Sequence, residues 1–264
     1  MFTRSPSPRL MAVVSVVVLI GVWWLIALAA AHSAGAGHTS PIPTPWDVVH
    51  TIGHLGLHYY WTQFSVTLWE AGLGYLWGNG IALVLAALVI VVPRLEGVVS
   101  QIAVISYCIP VVAIGPVLVL VNHVPAKGEP SGAATFLAGL SVFFTTVVGS
   151  LLGLRAADKA SLDVVKVYGG NGWTQLRKVR AVAALPAVLT ALQIAVPAAF
   201  LGAVLGEYFG KIETGVGLAM VISQSTANAP ALWSLALLSG LVALVLYLAV
   251  GVLTRLSTPW SKGV

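Results

Sequence analysis

The chain has 264 residues, of which 58% are hydrophobic and only 8% charged, with a formal net charge of +5 and a mean hydropathy of +0.96. So few charges cannot clothe a soluble domain, and the basic surplus is not gathered on the face or stripe that a nucleic-acid site requires, so the composition places the chain in a bilayer. A single cysteine, Cys108, excludes an internal disulfide and a cysteine-based zinc cluster.

A bilayer core of roughly 30 Å asks for about 20 apolar helical residues. Six stretches reach that length: Leu10–Ala31, Phe64–Val92, Val98–Val121, Gly132–Leu154, Pro186–Gly206 and Leu232–Leu253. None holds Lys or Arg. With a cytoplasmic N-terminus, Arg4, Arg9, Arg94, Arg155, Lys159, Lys166, Arg177, Lys178, Arg180, Arg255 and Lys262 fall inside and only Lys127 and Lys211 outside. That asymmetry predicts six spans with both termini cytoplasmic. The first stretch also has features of a cleavable signal peptide, with arginines before it and AAAHSAGAG after it. Its 22 residues exceed the roughly 7 to 15 of a signal's apolar region, so it is read as a span.

After the first span, Pro41, Pro43 and Pro45 forbid a regular helix until Trp46, where a short helix along the outer interface is expected. His50, His54 and His58 recur at i, i+4 and i+8 on one face, a spacing open to metal binding or pH sensing. Only Asp47 accompanies them, and Trp46, Tyr59, Tyr60 and Trp61 suit a helix at headgroup level, so no metal site is assigned.

Within the spans, Gly74 and Gly78, and Gly202, Gly206 and Gly210, form ladders that let helices approach closely. Pro110 and Pro116 should kink the third span and free carbonyls that must face protein or a wet cavity. Both are candidates for a translocation path. Glu70, two turns into the second span, and Glu207, at the end of the fifth, are path or gate candidates because ionisable groups at that depth are costly. For Glu70 the alternative is a carboxyl bonded to a neighbouring helix. Asn79, Asn122, Ser106 and Gln193 could bond a polar solute or bridge helices.

Between the fourth and fifth spans, DVVKVYGGNGWTQLRKVRAVAALP carries Lys166, Arg177, Lys178 and Arg180 around Gly169, Gly170 and Gly172. Propensity gives a helix over Asp163–Tyr168, a break at Gly169–Gly172 and a second helix over Trp173–Val182. A loop that only fixed topology would need the charges and not this architecture.

The segment resembles the cytoplasmic signature of the membrane-spanning permeases of binding-protein-dependent ABC importers, in their nitrate, sulfonate and taurine branch. That signature is Glu-Ala-Ala, three residues, Gly, nine residues, an aliphatic, one residue, then Leu-Pro. Asp163-Val164-Val165 takes the first place, Gly169 the glycine and Val179 the aliphatic, while Ala181-Val182 departs from Leu-Pro. PIPTPWDVV, SVTLWEAGLGY, SYCIPVVAIGPVLVL and GEYFGKIETGVGLAMVISQ extend the resemblance over about residues 40 to 255.

The resemblance implies an all-α, polytopic permease of the type I importer kind, one domain over residues 1–264, with a coupling helix in the loop 155–186. Asp163, Val164, Val165, Gly169, Gly170, Asn171, Gly172, Trp173, Arg177 and Lys178 would then meet a cytoplasmic ABC ATPase. The chain has no GxxxxGK[ST] loop, so ATP would be hydrolysed on that separate subunit. The other implied partners are an extracytoplasmic solute-binding protein, membrane lipid and a second permease, identical or more regular in its motif. No nucleic acid, cofactor or catalytic residue is expected, and the location is a bacterial inner membrane. The cargo would be a small solute such as a sulfonate, nitrate or a vitamin precursor. A secondary transporter or channel is the alternative, but it should show paired intramembrane charges or inverted repeats. An intramembrane enzyme should place a nucleophile and base on facing helices, and the spans hold no histidine.

Overall fold

The computed structural model describes residues 8–34, 40–121, 125–126, 128–210 and 213–258. Lys127, Lys211, Arg4, Lys262 and Asn122 lie outside these. Among the described residues there is no β-strand. The helices are α1 (Pro8–Ala34), α2 (Pro45–Val91), α3 (Glu96–Cys108), α4 (Val111–Val121), α5 (Gly132–Arg155), α6 (Lys159–Val167), α7 (Gly172–Gln175), α8 (Ala181–Phe209), α9 (Val216–Ser225) and α10 (Ala229–Ser257). A 3-10 turn, Pro93–Leu95, precedes α3, and a π turn, Leu176–Arg180, joins α7 to α8. Among the described residues, five helical segments are long and apolar enough to cross a membrane, and six if the bent pair α3 and α4 is one span.

The third span departs from expectation. Instead of one kinked helix it is two, bent by 83° at Ile109 and Pro110. Proline lacks the N–H that would continue α3 and disfavours helical geometry in the residue before it, and Ile109 is extended with ψ 122. Pro116, in contrast, stays inside α4. The short outer helix and the second span also run together as α2, interrupted at Gly56 (φ 79, ψ 157). Pro45 is its first residue, where a missing N–H costs nothing, and Thr44 and Asp47 cap it reciprocally. Because Gly56 lies between His54 and His58, the three histidines do not share one unbroken helical face. The apolar helix α9 was not foreseen in the connection after the fifth span.

The described residues fall into two compact units. One comprises residues up to 61 with 219–238. In it the Trp23 and Trp233 rings stack at 5.6 Å, and their indole N–H groups donate to the carbonyls of Pro43 and Pro41. Tyr60 and Ser234 share a buried hydrogen bond of 2.7 Å. The proline-rich segment, which cannot donate a full set of its own bonds, is thus held by side chains.

The other unit comprises residues 62–218 with those from 239 on, and α5 is its axis. Small residues allow the approach. A Cβ on Gly74 would lie 2.7 Å from the Thr135 carbonyl of α5, and one on Gly202 would lie 2.7 Å from that of Leu137. Gly78 and Gly206 are equally closed by α5, so both glycine ladders face the same helix. Gly210 is no third rung; it ends α8 as its C-cap. Ala82, Ala86 and Val89 of α2, Val99 and Ala103 of α3, and Phe143, Val147 and Leu151 of α5 complete the apolar core.

Candidate functional site

Two constellations gather the residues singled out by sequence. The first is a polar knot where α2, α5, α8 and the start of α9 meet. Gln63, Thr67 and Glu70 sit on one face of α2 at i, i+4 and i+7. Glu70 Oε1 accepts the Ser131 N–H at the N-cap of α5, at 2.5 Å. Glu207 Oε1 accepts from the Thr67 hydroxyl at 2.6 Å, and its Oε2 accepts the Gly217 N–H at 2.6 Å. The Val216 N–H donates to Thr67 Oγ1 at 3.0 Å and the Gly215 N–H to Gln63 Oε1 at 2.8 Å. Both glutamates are fully buried, and Glu70 Oε2 has no hydrogen-bond partner among the described residues.

The Gly-x-Gly of this region has a steric cause. A side chain at Gly215 would collide with the Glu207 carboxyl, and its φ of 147 is one that L-residues rarely adopt; at Gly217 a Cβ would lie 2.7 Å from Glu207 Cβ. The backbone closes on the carboxylate only because both positions lack a side chain. Gln63, Thr67, Ser131 and these N–H groups were not foreseen as part of the site. The i, i+4, i+7 polar spacing on α2 was the available signal.

The second constellation is the turn after α6. Asp158 caps α6, accepting the Ser161 N–H at 3.1 Å, and that bond, followed by one from the Ala160 N–H, holds its carboxyl below the usual carboxylate range. At the other end the Gly170 N–H donates to the Val165 carbonyl at 2.8 Å and the Gly169 N–H to that of Lys166 at 2.9 Å, with Gly169 at φ 77. This is a Schellman closure, which needs a left-handed residue at Gly169. A Cβ on Gly170 would strike Val165, so both glycines are required. Asn171 then caps α7 through the Thr174 N–H at 2.9 Å. The helix, turn, helix read from sequence is present, with α6 beginning four residues before Asp163.

Backbone bonding at this turn is complete, but its apolar side chains face outward. Val164, Val167 and Tyr168, at i, i+3 and i+4, are exposed, the last two by 84% and 87%, and Trp173 is exposed beyond the turn. Asp163 and Lys166 pair in the open at 3.5 Å. Arg155 pairs with Glu96, tying the end of α5 to the start of α3. Among the described residues no carboxylate pairs with Arg177, Lys178 or Arg180.

Of the remaining candidates, Asn79 accepts the Thr146 hydroxyl at 2.5 Å and bridges α2 to α5. Pro110 marks the α3–α4 bend. Ser106 bonds back to the Ala103 carbonyl. Gln193 donates to the Tyr247 carbonyl and lines a cavity of about 600 Å³ between α8 and α10, together with Thr190, Thr254, Arg255 and Thr258. Most of its lining residues are polar, and Gly251 leaves the room that the Gln193 amide fills. The structure does not gather these residues with Glu70 and Glu207 into one site.

A bundle of apolar spans carrying a capped helix–glycine turn–helix between two of them defines an importer permease. Residues 78–262 match the binding-protein-dependent transport system inner membrane component, and the chain belongs to that family. It is similar to a probable ABC transporter permease protein of Haemophilus influenzae, 34% identical over 190 residues, which are 72% of this chain and 75% of that one. It is also similar to the formylaminopyrimidine transport permease protein ThiX of Halalkalibacterium halodurans, 25% identical over 221 residues (84% and 86% of the two chains). The putative aliphatic sulfonates transport permease protein SsuC of Bacillus subtilis is 26% identical over 201 residues (76% and 69%). The chain is accordingly a multi-pass inner-membrane transport subunit, the permease of a binding-protein-dependent importer.

Proposed function

We propose that this chain is one of two permeases in an importer driven by separate cytoplasmic ABC ATPases, with both of its termini and the α6 turn on the cytoplasmic side. In this reading α6 seats on an ATPase, and Asp163, Val164, Val165, Gly169, Gly170, Asn171, Gly172, Trp173, Arg177 and Lys178 form or shape the contact. The observation that carries it is the exposed row Val164, Val167 and Tyr168 along the end and C-cap of a short helix. Such a row at i, i+3, i+4 suits a helix laid in a partner's groove, and Lys178 and Arg180 after the turn, unpaired among the described residues, suit an acidic rim. ATP-driven closure of two ATPases would then move α6 and, through α7 and the π turn, the start of α8.

The cargo in this reading is a small polar solute handed over by an external binding protein, of the size of the formylaminopyrimidine and sulfonates in its relatives' names. Glu70, Asn79, Pro110, Pro116 and Glu207 act on the path chiefly by holding its walls. The second permease is another copy or a chain with a more regular motif, which the mass of the intact assembly distinguishes.

The test is copurification. The wild-type chain should bring down a Walker-type ATPase, and the double variant Val167→Asp, Tyr168→Asp should lose it by about 30-fold or more, the scale of a lost interface hot spot. Both positions are open to solvent, so thermal unfolding of the permease should not change. An ATPase that coelutes equally with the variant would refute the docking role of α6.

A further inference from the structure

Below the α7–α8 junction lies a cleft of about 380 Å³ whose walls are apolar, among them Leu83 and Ala87 of α2, Leu154 of α5 and Val188 of α8. Three polar features belong to it. Trp173 and Arg177 stand at its rim, both exposed. Ser150 of α5 lines it, wholly buried, and its hydroxyl has no partner among the described residues. Arg177 lies within the π turn, where the helical register between α7 and α8 is broken, and such turns recur at functional positions.

We infer that this cleft is a site for one anionic phospholipid, with part of an acyl chain between α2, α5 and α8 and the phosphate on Arg177. An apolar cavity at bilayer depth does not hold water, and the filler at hand there is hydrocarbon. The guanidinium fork, free of any carboxylate among the described residues, matches a phosphate's paired oxygens, and an indole at the rim belongs at headgroup level. A glycerol ester carbonyl is an acceptor of the kind the Ser150 hydroxyl lacks. Basic pockets between spanning helices on the cytoplasmic side take anionic headgroups in this way. The inference rests on the orientation proposed above, which puts the cleft in the inner leaflet. A lipid held here would wedge the segment through which α6 moves α8, so lipid composition would bear on coupling.

The experiment uses the full chain, purified without ATPase and exposed to equal amounts of phosphatidylglycerol and phosphatidylcholine, with retained lipid read by native mass spectrometry. Phosphatidylglycerol should be retained in preference. Arg177→Gln should reduce that preference about fivefold. Ala87→Phe, an exposed position that fills the cleft, should reduce retention of both lipids. Ala181→Phe, on another exposed part of the lining, repeats the test should Ala87→Phe melt early. Equal retention of the two lipids by the wild type, or unchanged preference in Arg177→Gln, would overturn the proposal. So would a cleft-filling variant that separates permease pairs and leaves lipid retention intact, since the cleft would then be an interface with the second permease. Because no ATPase is present, failure here leaves the docking of α6 standing, and loss of that docking leaves this result standing.

Discussion

The carboxyl knot and the α6 turn are the two most polar regions of the larger unit, and they differ in where their bonds go. In the knot, two buried glutamates, a threonine and a glutamine collect N–H groups from α5 and from the segment before α9. Its bonding is turned inward. At the α6 turn the backbone is closed by its glycines and caps, while Val167, Tyr168 and Trp173 point into the open. We read the first as an internal brace and the second as half of an interface. Ionisable residues deep in a span are functional candidates by default, yet here the deep carboxyls accept three bonds and leave only Glu70 Oε2 without one, while the exposed apolar residues lack partners.

The sharpest way to break this comparison is Glu207→Leu. The change strands the Gly217 N–H, at about 1–3 kcal/mol when buried and unbonded, and leaves the Thr67 hydroxyl only its longer bond to the Gln63 carbonyl. It should lower the thermal stability of the detergent-solubilised chain strongly and free the segment around Gly215 to proteolysis. An unchanged melting temperature would show that the knot braces nothing.

A smaller effect is expected at Gly169. No atom stands within 4 Å of a Cβ placed there, so crowding is absent and only the left-handed φ of 77 opposes substitution. Gly169→Ala should cost about 1–2 kcal/mol, confined to the α6 closure, and Gly169→Asn distinctly less because asparagine tolerates that region. Protease nicking between α6 and α7 should rise in that order, and ATPase retention should fall in the same order. If Ala and Asn behave alike, it is not backbone geometry that makes the glycine necessary.

What was legible in the sequence follows the same division. Local rules sufficed for the α6 turn, because a Schellman glycine and an Asn cap write their geometry within ten residues, as Val165 to Thr174 show. They sufficed as well for Gly74, Gly78, Gly202 and Gly206 as close-approach positions, although not for Gly210, nor for α5 as the helix they would face. The knot was only half legible. The spacing of Gln63, Thr67 and Glu70 marks one face of α2, but their partners lie 61 to 152 residues away, and no local pattern names them. Pro110 was a breaker of known kind and unknown angle, whereas the break at Gly56 was not foreseen. A proline says that the ladder must fail, while packing of α3 on α5 and of α4 on α8 selects the 83° bend.

The finest test is Glu70→Gln, where the comparison predicts almost nothing. Glu70 uses Oε1 to accept from Ser131, while its buried Oε2 has no hydrogen-bond partner among the described residues. A glutamine keeps the acceptor for Ser131 and alters only the second atom, which makes no hydrogen bond here. Stability should change by less than about 1 kcal/mol, the scale of one exchanged hydrogen bond, and solute uptake in vesicles with the ATPase present should persist. Glu70→Leu, which removes the acceptor for Ser131 as well, should be the damaging change. A glutamine variant that assembles with its ATPase, melts like the parent and transports nothing would mean that the charge itself is used, which would move Glu70 from the brace to the path.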